Sequence, residues 1–471
     1  MNAQLAYAQP APNVDPHLAR HYNVQGPRYT SYPTANHFSS EFGAAAYARE
    51  ARRSNEEPMP RSLSLYVHVP FCFSPCFYCG CTRLITRDSG RADSYLDFLE
   101  REIQLQSELF DSDRSVVQLH LGGGTPTFLS SPQLERLLTH LRMRFNFVDA
   151  DAGEFSIEID PRTVDFERLR QLRAQGFNRV SFGLQDLDPE VQAAVNRVQP
   201  LAQSRAVLEQ ARALGFRSLN VDLIYGLPRQ TVASFERTLA QIIALRPDRI
   251  AAYSYAHMPQ MFKAQKHIDE AELPDPERKL RLLELTVAAL CAAGYVYVGM
   301  DHFALPDDEL VCAQRAGTLQ RNFQGYSTHA ECDLVGMGMS AISAVGDGYA
   351  QNEKDLKAYF AALSQHRLPV VRGHLMSADD HLRRELINQL MCHGLIDVPQ
   401  IEAAYGICFN VYFAAELERL EPLIADNLVQ RSSQAIRLTA PGRLLMRLVA
   451  MTFDAYLRRG GAAPQSFSRV I

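Results

Sequence analysis

The sequence predicts an α/β protein. Its main part is expected to be an incomplete, TIM-like (β/α)6 barrel, between an N-terminal arm and a small, mainly helical C-terminal domain with a winged-helix-like order of elements. Two observations predict the barrel. Six β-rich segments, closed by Gly, Pro or Asp, follow one another between residues 63 and 259, and segments with helical spacing of apolar residues separate them. Such alternation forms parallel βα units with right-handed crossovers, and six units instead of eight leave the barrel open along one side.

The individual elements are predicted from local patterns. The strand segments are 63–71, 115–127, 154–161, 178–186, 218–228 and 248–259. The helical segments are 94–110, 131–145, 165–176, 188–197, 203–215 and 231–245. The second helical segment opens with Ser131 and Pro132, which predicts Ser131 as the N-cap and Pro132 as the first helical residue.

Polar residues stand at the carboxyl ends of these strands, where the reactive groups of barrel proteins lie. A cysteine-rich loop follows the first strand, and Gly122 to Thr125 follow the second. The ends of the other four strands carry Glu158, Asp160, Gln185, Asp186, Asp222, Tyr255, Ala256 and His257. We therefore expect one functional site at this mouth of the barrel.

The flanking segments predict the domain division. We expect an N-terminal arm in 1–60, the barrel with a closing extension in 61–376, and a C-terminal domain in 377–471. The arm is rich in Pro and Ala, and the Gly-rich, weakly charged stretch 321–352 favours edge strands on the open side of the barrel. From Ser377, amphipathic helices, a hairpin and a closing helix are predicted. DNA binding is the alternative for this domain, but its helices carry as many acidic as basic residues, which favours a cap or partner domain.

The composition is that of an ordinary soluble globular protein. Of 471 residues, 46% are hydrophobic and 21% charged, and the net charge of −5 gives no reason to expect nucleic-acid binding. The first twenty residues lack the pattern of a signal peptide. The longest apolar-rich stretch, 287–300, is shorter than a membrane span. We expect a cytoplasmic protein with reduced thiols, so that clustered cysteines bind metal or are redox-active.

Four of the nine cysteines lie together in "FCFSPCFYCGCT", at Cys72, Cys76, Cys79 and Cys81. Structural zinc usually takes two short cysteine or histidine pairs, and the sequence offers no second pair. A thioredoxin-like pair would use Cys76 and Cys79 and leave Cys72 unexplained. Three closely spaced thiolates suit an iron–sulfur cubane, and three ligands for four irons leave one iron open to a small molecule.

The three-cysteine spacing directly after the first strand resembles the signature of the radical S-adenosylmethionine (SAM) superfamily. The resemblance implies a [4Fe-4S] cluster held by Cys72, Cys76 and Cys79, with SAM chelating the open iron and yielding a 5′-deoxyadenosyl radical. It also gives a role to the "GGGTP" segment after the second strand, which contacts the methionine part of SAM in the superfamily. The segment lacks the spacing of a dinucleotide fingerprint.

The resemblance extends to one family. It rests on "GPRYTSYPT", "LYVHVPFC", "YCGC", "LHLGGGTPT", "SIEIDPR", "GFNRVSFGLQD", "NVDLIYGLP", "YAHMP", "GMDHFA", "RNFQGY", "GMGMSAIS", "YAQN" and "FSRVI", which together span about His21 to Ile471. All are similar to segments of the oxygen-independent coproporphyrinogen III oxidases. The resemblance implies that two propionate side chains of coproporphyrinogen III are decarboxylated to vinyls, giving protoporphyrinogen IX in haem synthesis.

The resemblance also implies site residues. The SAM on the cluster would contact Tyr66, Gly123, Glu158 and Ile342. A second SAM would contact Tyr78, Gly124, Thr125, Gln185, Arg197, Asp222 and Ala256. Catalytic roles would fall to Tyr66, His68, Cys81, Phe323 and Gln324. Because a fourth cluster ligand would close the open iron, we predict that Cys81 shapes the site beside the cluster and does not bind it when SAM is present.

Partners and alternatives complete these expectations. Four propionates require cations, and Arg28, Arg83, Arg162 and Arg321 lie in the matching motifs. We expect an electron donor such as flavodoxin or ferredoxin, no nucleic acid, no membrane span and a monomer. The first alternative is a haem chaperone of the same superfamily, which lacks the Gly-Cys pair after the triad and the N-terminal arm. A zinc-dependent regulator with a winged helix is more remote, because it leaves the barrel unexplained.

Overall fold

The computed structural model describes residue 18 and residues 21–329, 331–458 and 467–470. Residues 1–17 of the predicted N-terminal arm lie outside the described part. So do residues 459–466 and 471 of the predicted C-terminal domain, and Ala330.

All six predicted strands are present, and they form the centre of one large sheet. They are β1 (Leu63–Val69), β2 (Ser115–Gly123), β3 (Glu154–Ile159), β4 (Arg179–Gln185), β5 (Ser218–Tyr225) and β6 (Arg249–Ser254). They run parallel in the order β6-β5-β4-β3-β2-β1. Each pair of neighbours is consecutive among these six, as right-handed βα units predict. Their carboxyl ends therefore meet at one edge of the sheet.

Six later strands extend this row at both ends. They are β7 (Val296–Gly299), β8 (His302–Ala304), β9 (Asp333–Met337), β10 (Ile342–Val345), β11 (Gly348–Asn352) and β12 (Val370–Leu375). The β7–β8 hairpin pairs antiparallel with β6, while β9 to β12 follow β1. The edge strands predicted in the Gly-rich stretch are thus confirmed. The described strand path is open, from β7 to β12.

Strand β9 lies in the stretch where edge strands were predicted, but its parallel pairing with β1 was not predicted. Leu63 faces Asp333 and Tyr66 faces Gly336 in parallel register. The β9–β10 connection then turns back closely, since a Cβ at Gly336 would lie 2.4 Å from the carbonyl oxygen of Ile342. This places Ile342 against Gly336, the residue of β9 that faces Tyr66.

The helices lie between and after these strands. They are Ala44–Arg53, Gly90–Ser107, Ser131–Arg144, Phe166–Ala174, Pro189–Ala194, Leu201–Ala213, Val232–Leu245, Pro276–Ala292, Glu309–Ala316, Leu356–Ser364, Ala378–His393, Val398–Tyr405, Phe409–Tyr412, Ala414–Ala425, Ala440–Leu444 and Met446–Thr452. The predicted N-cap of the second barrel helix is wrong by one residue. Ser130 caps it in a reciprocal capping box with Gln133, and Ser131 is already helical.

The helices bury their apolar faces against the sheet. In Ser131–Arg144, for example, the buried residues are Leu134, Leu137, Leu138 and Leu141, at the spacing of one helical face. One continuous cluster of buried apolar side chains includes residues from Tyr22 in the arm to Val470 near the C-terminus. The arm and the C-terminal residues therefore pack on the part of the chain that forms the large sheet.

The N-terminal segment is held by the C-terminal part of the chain. Arg447 donates hydrogen bonds to the carbonyls of Gly26 and Pro27, and Tyr29 donates to Asp454 at 3.0 Å. The arm is not wholly extended, because Ala44–Arg53 forms a helix. Its segment 26–34 is thereby fixed near the later strands, with most of its residues buried.

The C-terminal residues contain the predicted hairpin. Its strands, Val429–Arg431 and Ala435–Leu438, form a three-stranded antiparallel sheet with Leu395–Asp397. The first helix, Ala378–His393, is capped by Ser377. Among the residues described, none of the helices has the length and apolar character needed to cross a membrane.

Candidate active site

A cavity of about 670 Å³ opens at the carboxyl ends of the parallel strands. The predicted site residues that line it are Cys72, Cys76, Tyr78, Cys79, Cys81, Gly123, Gly124, Thr125, Glu158, Gln185, Arg197 and Asp222. They come from four different strand ends and the cysteine loop. The structure therefore brings most of the predicted set together at the expected mouth.

The cysteine loop is ordered by its own backbone and by one arginine. Residues Phe71–Cys72 pair with Leu84–Ile85, which closes the base of the loop. Arg83 donates hydrogen bonds to the carbonyl oxygens of Cys76, Cys79 and Cys81 at 3.2 to 3.4 Å. The loop thus encircles a guanidinium, whose positive charge suits negatively charged thiolates.

Each of the three predicted ligand thiols also receives a hydrogen bond. Thr125 donates to Cys72 Sγ at 3.5 Å, Arg197 to Cys76 Sγ at 3.3 Å, and the backbone N–H of Cys81 to Cys79 Sγ at 3.4 Å. Burial raises the pKa of Cys72 to about 11, whereas the hydrogen bond with the Cys81 thiol and the charge of Arg83 lower the pKa of Cys79 to about 6.

This donor set fits an iron–sulfur cluster better than a single metal ion. Within the described chain, no group of three or more His, Cys, Asp or Glu side chains is close enough to hold one ion. The thiolates of a cubane bind different irons and need not converge on one point. Cys72, Cys76 and Cys79 would hold the cluster, and the donors around them would stabilise its negative charge.

The residues beside the loop form a connected network on β1, β2 and β3. Tyr66 and His120 are stacked with ring centres 5.9 Å apart, and the Tyr66 hydroxyl lies 3.1 Å from His68 Nδ1. His68 Nε2 lies 2.9 Å from the Thr82 carbonyl oxygen, which belongs to the end of the cysteine loop. His120 Nε2 is 3.2 Å from Glu158. The network links the loop to the carboxylate of Glu158.

Glu158 presents a negative charge to the cavity. Burial alone would raise the pKa of its carboxyl, but His120 and the backbone N–H of Gly123, which donates at 3.1 Å, hold it below the usual value. Its side chain is still 42% exposed, and it faces the cavity. Glu158 is therefore an ionised acceptor able to bind a cationic amine or a hydroxyl.

Gly123 is needed for the close approach of β2 to β1. Its φ is +112°, and a Cβ at this position would lie 2.5 Å from two atoms of the His68 ring. Such contacts are closer than van der Waals distance, so only glycine fits without displacing His68. The glycine-rich segment thus positions the network and exposes its backbone to the cavity.

The opposite wall is built from β4 and β5. Ser181 and Asn220 donate hydrogen bonds to the two oxygens of Asp222 at 3.0 and 2.9 Å. Burial, and then the negative charge of Glu158, raise the pKa of Asp222 to about 6. Two carboxyl groups with different pKa values therefore face one cavity. Glu158 is ionised, whereas the pKa of Asp222 is close to neutral pH.

Arg197 joins the cysteine loop to this wall. Besides Cys76, it donates to Asp160 at 3.2 Å and to the carbonyl oxygen of Gly183 at 2.6 Å. A Cβ at Gly183 would lie 2.8 Å from the Gln185 amide nitrogen and 3.0 Å from the Arg197 guanidinium. Gln185 and Arg197 are therefore packed side by side, which no spacing in the sequence indicates.

Six predicted site residues do not line this cavity: Tyr66, His68, Ala256, Phe323, Gln324 and Ile342. Gln265 donates hydrogen bonds to the carbonyl oxygens of Ala256 and Tyr78 at 3.2 and 2.9 Å, which holds Ala256 beside the cysteine loop. Ala256 itself lines a neighbouring cavity of about 420 Å³. Ile342 and Phe323 pack on the cluster of Phe38, Tyr349 and Met376.

Phe323 lines a third cavity of about 550 Å³. Gln324 follows Phe323 in the turn of the hairpin formed by Gln320–Asn322 and Gly325–Ser327. Tyr66 and His68 do not line the main cavity themselves. His68 lies against Gly123, and Tyr66 is connected to Glu158 through His120. The structure thus separates the predicted residues into a wall around the cysteine loop and a second group on the later strands.

Sequence reasoning missed several residues of the site. These are His120, Ser181, Asn220 and Tyr253, on β2, β4, β5 and β6. Ser181 and Tyr253 line the main cavity, while His120 and Asn220 contact the lining residues Glu158 and Asp222. Each precedes, by two to four residues, a residue that was predicted at the end of the same strand. The alternation of strand side chains was the available signal, since residues i and i+2 share a face.

Two family models match the chain. The model of the Radical SAM superfamily matches residues 66–242, and the model of the HemN C-terminal domain matches residues 376–445. The first contains the cysteine loop and strands β1 to β5. The second contains the hairpin and most helices that follow Ser377.

Curated relatives cover almost the whole chain. A protein of Pseudomonas aeruginosa named oxygen-independent coproporphyrinogen III oxidase is 50% identical over 457 residues, which are 97% of this chain and 98% of the relative. A protein of Salmonella typhimurium with the same name is 50% identical over 454 residues, 96% of this chain and 98% of the relative.

A solved structure has the same fold. It is the coproporphyrinogen III oxidase (HemN) of Escherichia coli, described as a radical SAM enzyme, with a TM-score of 0.88 and 47% identity over 94% of this chain and 99% of that chain. The sequence identity, the coverage and the position of the cysteine loop at the ends of the parallel strands all support one family assignment. The chain belongs to the oxygen-independent coproporphyrinogen III oxidase family, within the radical SAM superfamily.

Proposed function

We propose that this chain is a radical SAM oxidoreductase that decarboxylates two propionate side chains of coproporphyrinogen III to vinyls and so forms protoporphyrinogen IX. The observation that carries the proposal is the loop of Cys72, Cys76 and Cys79 at the strand-end cavity, in a chain that matches its named relatives over nearly full length. Each of the two reactions removes a hydrogen atom, carbon dioxide and one electron from a propionate.

The cofactors would be a [4Fe-4S] cluster and two SAM molecules. Held by Cys72, Cys76 and Cys79, the cluster would supply the electron for the radical chemistry of SAM that removes a hydrogen atom from the substrate. The protein binds, orients and shields these groups. We propose Tyr66, Gly123, Glu158 and Ile342 as contacts of the SAM on the cluster. The ionised Glu158 beside exposed glycine backbone supports an amine-binding role.

For the second SAM we propose Tyr78, Gly124, Thr125, Gln185, Arg197, Asp222 and Ala256. Six of them line the main cavity, and Ala256 lines the neighbouring one. Arg197 is a cation able to meet a carboxylate, although it already pairs with Asp160. Asp222 offers an acceptor for an amine or for ribose hydroxyls.

Catalytic roles are proposed for Tyr66, His68, Cys81, Phe323 and Gln324. Cys81 faces the cavity beside Cys79, and Tyr66 and His68 form a hydrogen-bonded pair directly behind it. We propose that Cys81 is not a cluster ligand when SAM is bound and instead contacts the substrate side of the site.

The domain division 1–60, 61–376 and 377–471, the curling of the parallel sheet into an incomplete barrel and the winged-helix-like character of the C-terminal part belong to the same proposal. So do a cytoplasmic location, a monomeric state and an electron donor such as flavodoxin or ferredoxin. The open strand path from β7 to β12 supports the incomplete barrel.

The function is tested anaerobically. The protein is reconstituted with iron and sulfide, then mixed with reductant, SAM and coproporphyrinogen III, and the products are separated and identified. We expect protoporphyrinogen IX from the wild type and none from Cys76→Ser. The haem-chaperone alternative predicts haem binding without product. The presence of Gly80-Cys81 and of the N-terminal segment 26–34 favours the oxidase over that alternative.

A further inference from the structure

The structure distinguishes the four arginines that the sequence offers for the propionates. Arg28 forms an ion pair with Asp301, and Arg162 forms one with Asp160 at 2.7 Å. Arg83 uses both terminal nitrogens on carbonyls of the cysteine loop. Arg321 is different. Its Nε and Nη1 are fully shielded from solvent and have no hydrogen-bond partner among the residues that the structure describes.

The Arg321 guanidinium lies between two cavities. It packs over the Tyr326 ring, 4.8 Å from the ring centre, and the residue lines the cavity of about 550 Å³ that also contains Phe323. The edge of the His302 ring meets both Tyr326, at 5.1 Å between ring centres, and Tyr253, at 6.0 Å. Tyr253 lines the main cavity. Arg321 is therefore connected to the proposed cofactor site through a row of three rings, Tyr326, His302 and Tyr253.

Two further nitrogens, one on a ring that packs against Tyr326 and one in the turn of the hairpin that carries Arg321, are shielded in the same way. His302 Nδ1 and Gln324 Nε2 are buried and have no hydrogen-bond partner within the described chain. Burial, and then the charge of Arg321, lower the pKa of His302 to about 3, so the imidazole is neutral. Gln324 stands in the hairpin turn whose Gly325 lies against the His302 ring. A cation and two neutral polar groups thus share one corner, and unpaired buried donors are unfavourable.

An acceptor with negative charge would satisfy this corner. A guanidinium presents parallel N–H groups that match a carboxylate, and the substrate of the proposed reaction carries four carboxylates. We propose that Arg321, with His302 and Gln324 beside it, binds a propionate carboxylate of the tetrapyrrole that is not being oxidised. This inference rests on the proposed function.

The choice of an unreacted propionate follows from the charge change in the reaction. The reacting carboxylate leaves as neutral carbon dioxide, so a guanidinium paired with it would stabilise the starting state more than the transition state and slow the step. A pair with an unreacted propionate is kept throughout and only positions the ring system. Arg321 is therefore a positioning residue for substrate, and its loss should act on binding.

The test compares binding and turnover in the reconstituted enzyme with SAM. The binding probes are coproporphyrin III, the fluorescent oxidised form with the same four propionates, and its tetramethyl ester, which lacks the carboxylates. We expect Arg321→Met to weaken binding of the acid about tenfold to a hundredfold and to leave the ester unchanged. Arg321→Lys should lie between the two. The exposed Arg437 supplies a control, since Arg437→Met removes one charge far from the cavity and should bind the acid like the wild type.

In turnover with coproporphyrinogen III, Arg321→Met should raise KM by a similar factor and change kcat little. Iron content and SAM binding should be unchanged. Wild-type binding of the acid by Arg321→Met would overturn the inference and leave the proposed function standing if the wild type forms product. A fall in kcat at constant KM would assign Arg321 to the reacting carboxylate and also overturn it.

If the wild type neither binds the acid nor forms product, the proposed function itself fails. If Arg321→Met does not fold, Arg321→Lys decides the same question, together with the preference of the wild type for acid over ester. Equal wild-type affinity for acid and ester would contradict a buried carboxylate site.

Discussion

Replacing Gly123 with alanine tests whether the close approach of β2 to His68 positions the cofactor site. The new methyl group would lie 2.5 Å from His68 Cε1 and Nδ1, and the backbone φ of +112° is unfavourable for any residue with a Cβ. His68 cannot easily move away, because its ring nitrogens contact Tyr66 and the Thr82 carbonyl at 3.1 and 2.9 Å. The methyl group must therefore displace either the ring or the strand.

The expected cost has two parts. A positive φ costs an L-residue about 1–2 kcal/mol, and overpacking a filled site costs about 1–3 kcal/mol more. Gly294 provides a matched control, since its φ is +91° and a Cβ there would meet nothing within 4 Å. We expect Gly294→Ala to lose only the first part. Gly123→Ala should therefore be about 1–3 kcal/mol less stable than Gly294→Ala.

Stability is measured by denaturant unfolding of the cluster-free chains, and SAM binding by equilibrium titration of the reconstituted enzymes. Because the Gly123 N–H donates to Glu158, Gly123→Ala should also weaken SAM binding, whereas Gly294→Ala should not. The reasoning is refuted if the two variants are equally stable and bind SAM equally well.

Three further predictions concern the cluster, the second cofactor and the buried carboxyl of Glu102, which accepts hydrogen bonds from the Gly338 N–H, Asn352 and Tyr359. Cys81→Ser should keep about four irons per chain and a SAM-dependent change in the cluster spectrum, but it should lose product formation. Cys76→Ser should lose the iron. Loss of iron from Cys81→Ser would instead make Cys81 a ligand. Asp222→Ala should reduce the SAM bound at saturation from two per chain to one, and a wild-type stoichiometry of one with a full cluster would contradict the second site. Burial raises the pKa of Glu102 from 4.5 to about 7, so the folded chain holds this proton more tightly than the unfolded chain. The contribution of Glu102 to the free energy of unfolding is fully present below about pH 4.5 and is lost, by about 3 kcal/mol, as the pH rises through 7. Glu102→Gln should abolish that part of the pH dependence, measured by urea unfolding. An unchanged profile would show that Glu102 is ionised throughout.

The order of the elements was predictable because its signals are local. Alternating apolar residues and turn formers predicted the six strands β1 to β6, with bounds that differ from the structure mainly at the carboxyl ends. The polar residues that end these strands meet at one cavity because parallel strands place their carboxyl ends at one edge. The N-cap of Ser131–Arg144 was missed by one residue, since two adjacent serines carry the same local signal.

The partners of the site residues were not predictable in this way. The stack of Tyr66 on His120, the hydrogen bonds of Asp222 with Ser181 and Asn220, and the contact of Arg197 with Cys76 join residues from different strands. Their geometry depends on strand register and side-chain packing, which no short stretch of sequence specifies.

The sequence by itself determined the strand–helix order, the cysteine loop and the membership of a family whose motifs run along the whole chain. The tertiary structure alone decided that β9, some 270 residues after β1, pairs with it in parallel, and that Ile342 thereby lies against Gly336, the residue of β9 that faces Tyr66. It also decided which arginines are paired: Asp301 neutralises Arg28 across the fold, while Arg321 retains two shielded donors. The physical reason is the same in each case. Local patterns follow from the conformational preferences of neighbouring residues, whereas burial and charge pairing depend on residues that meet only when the chain is folded.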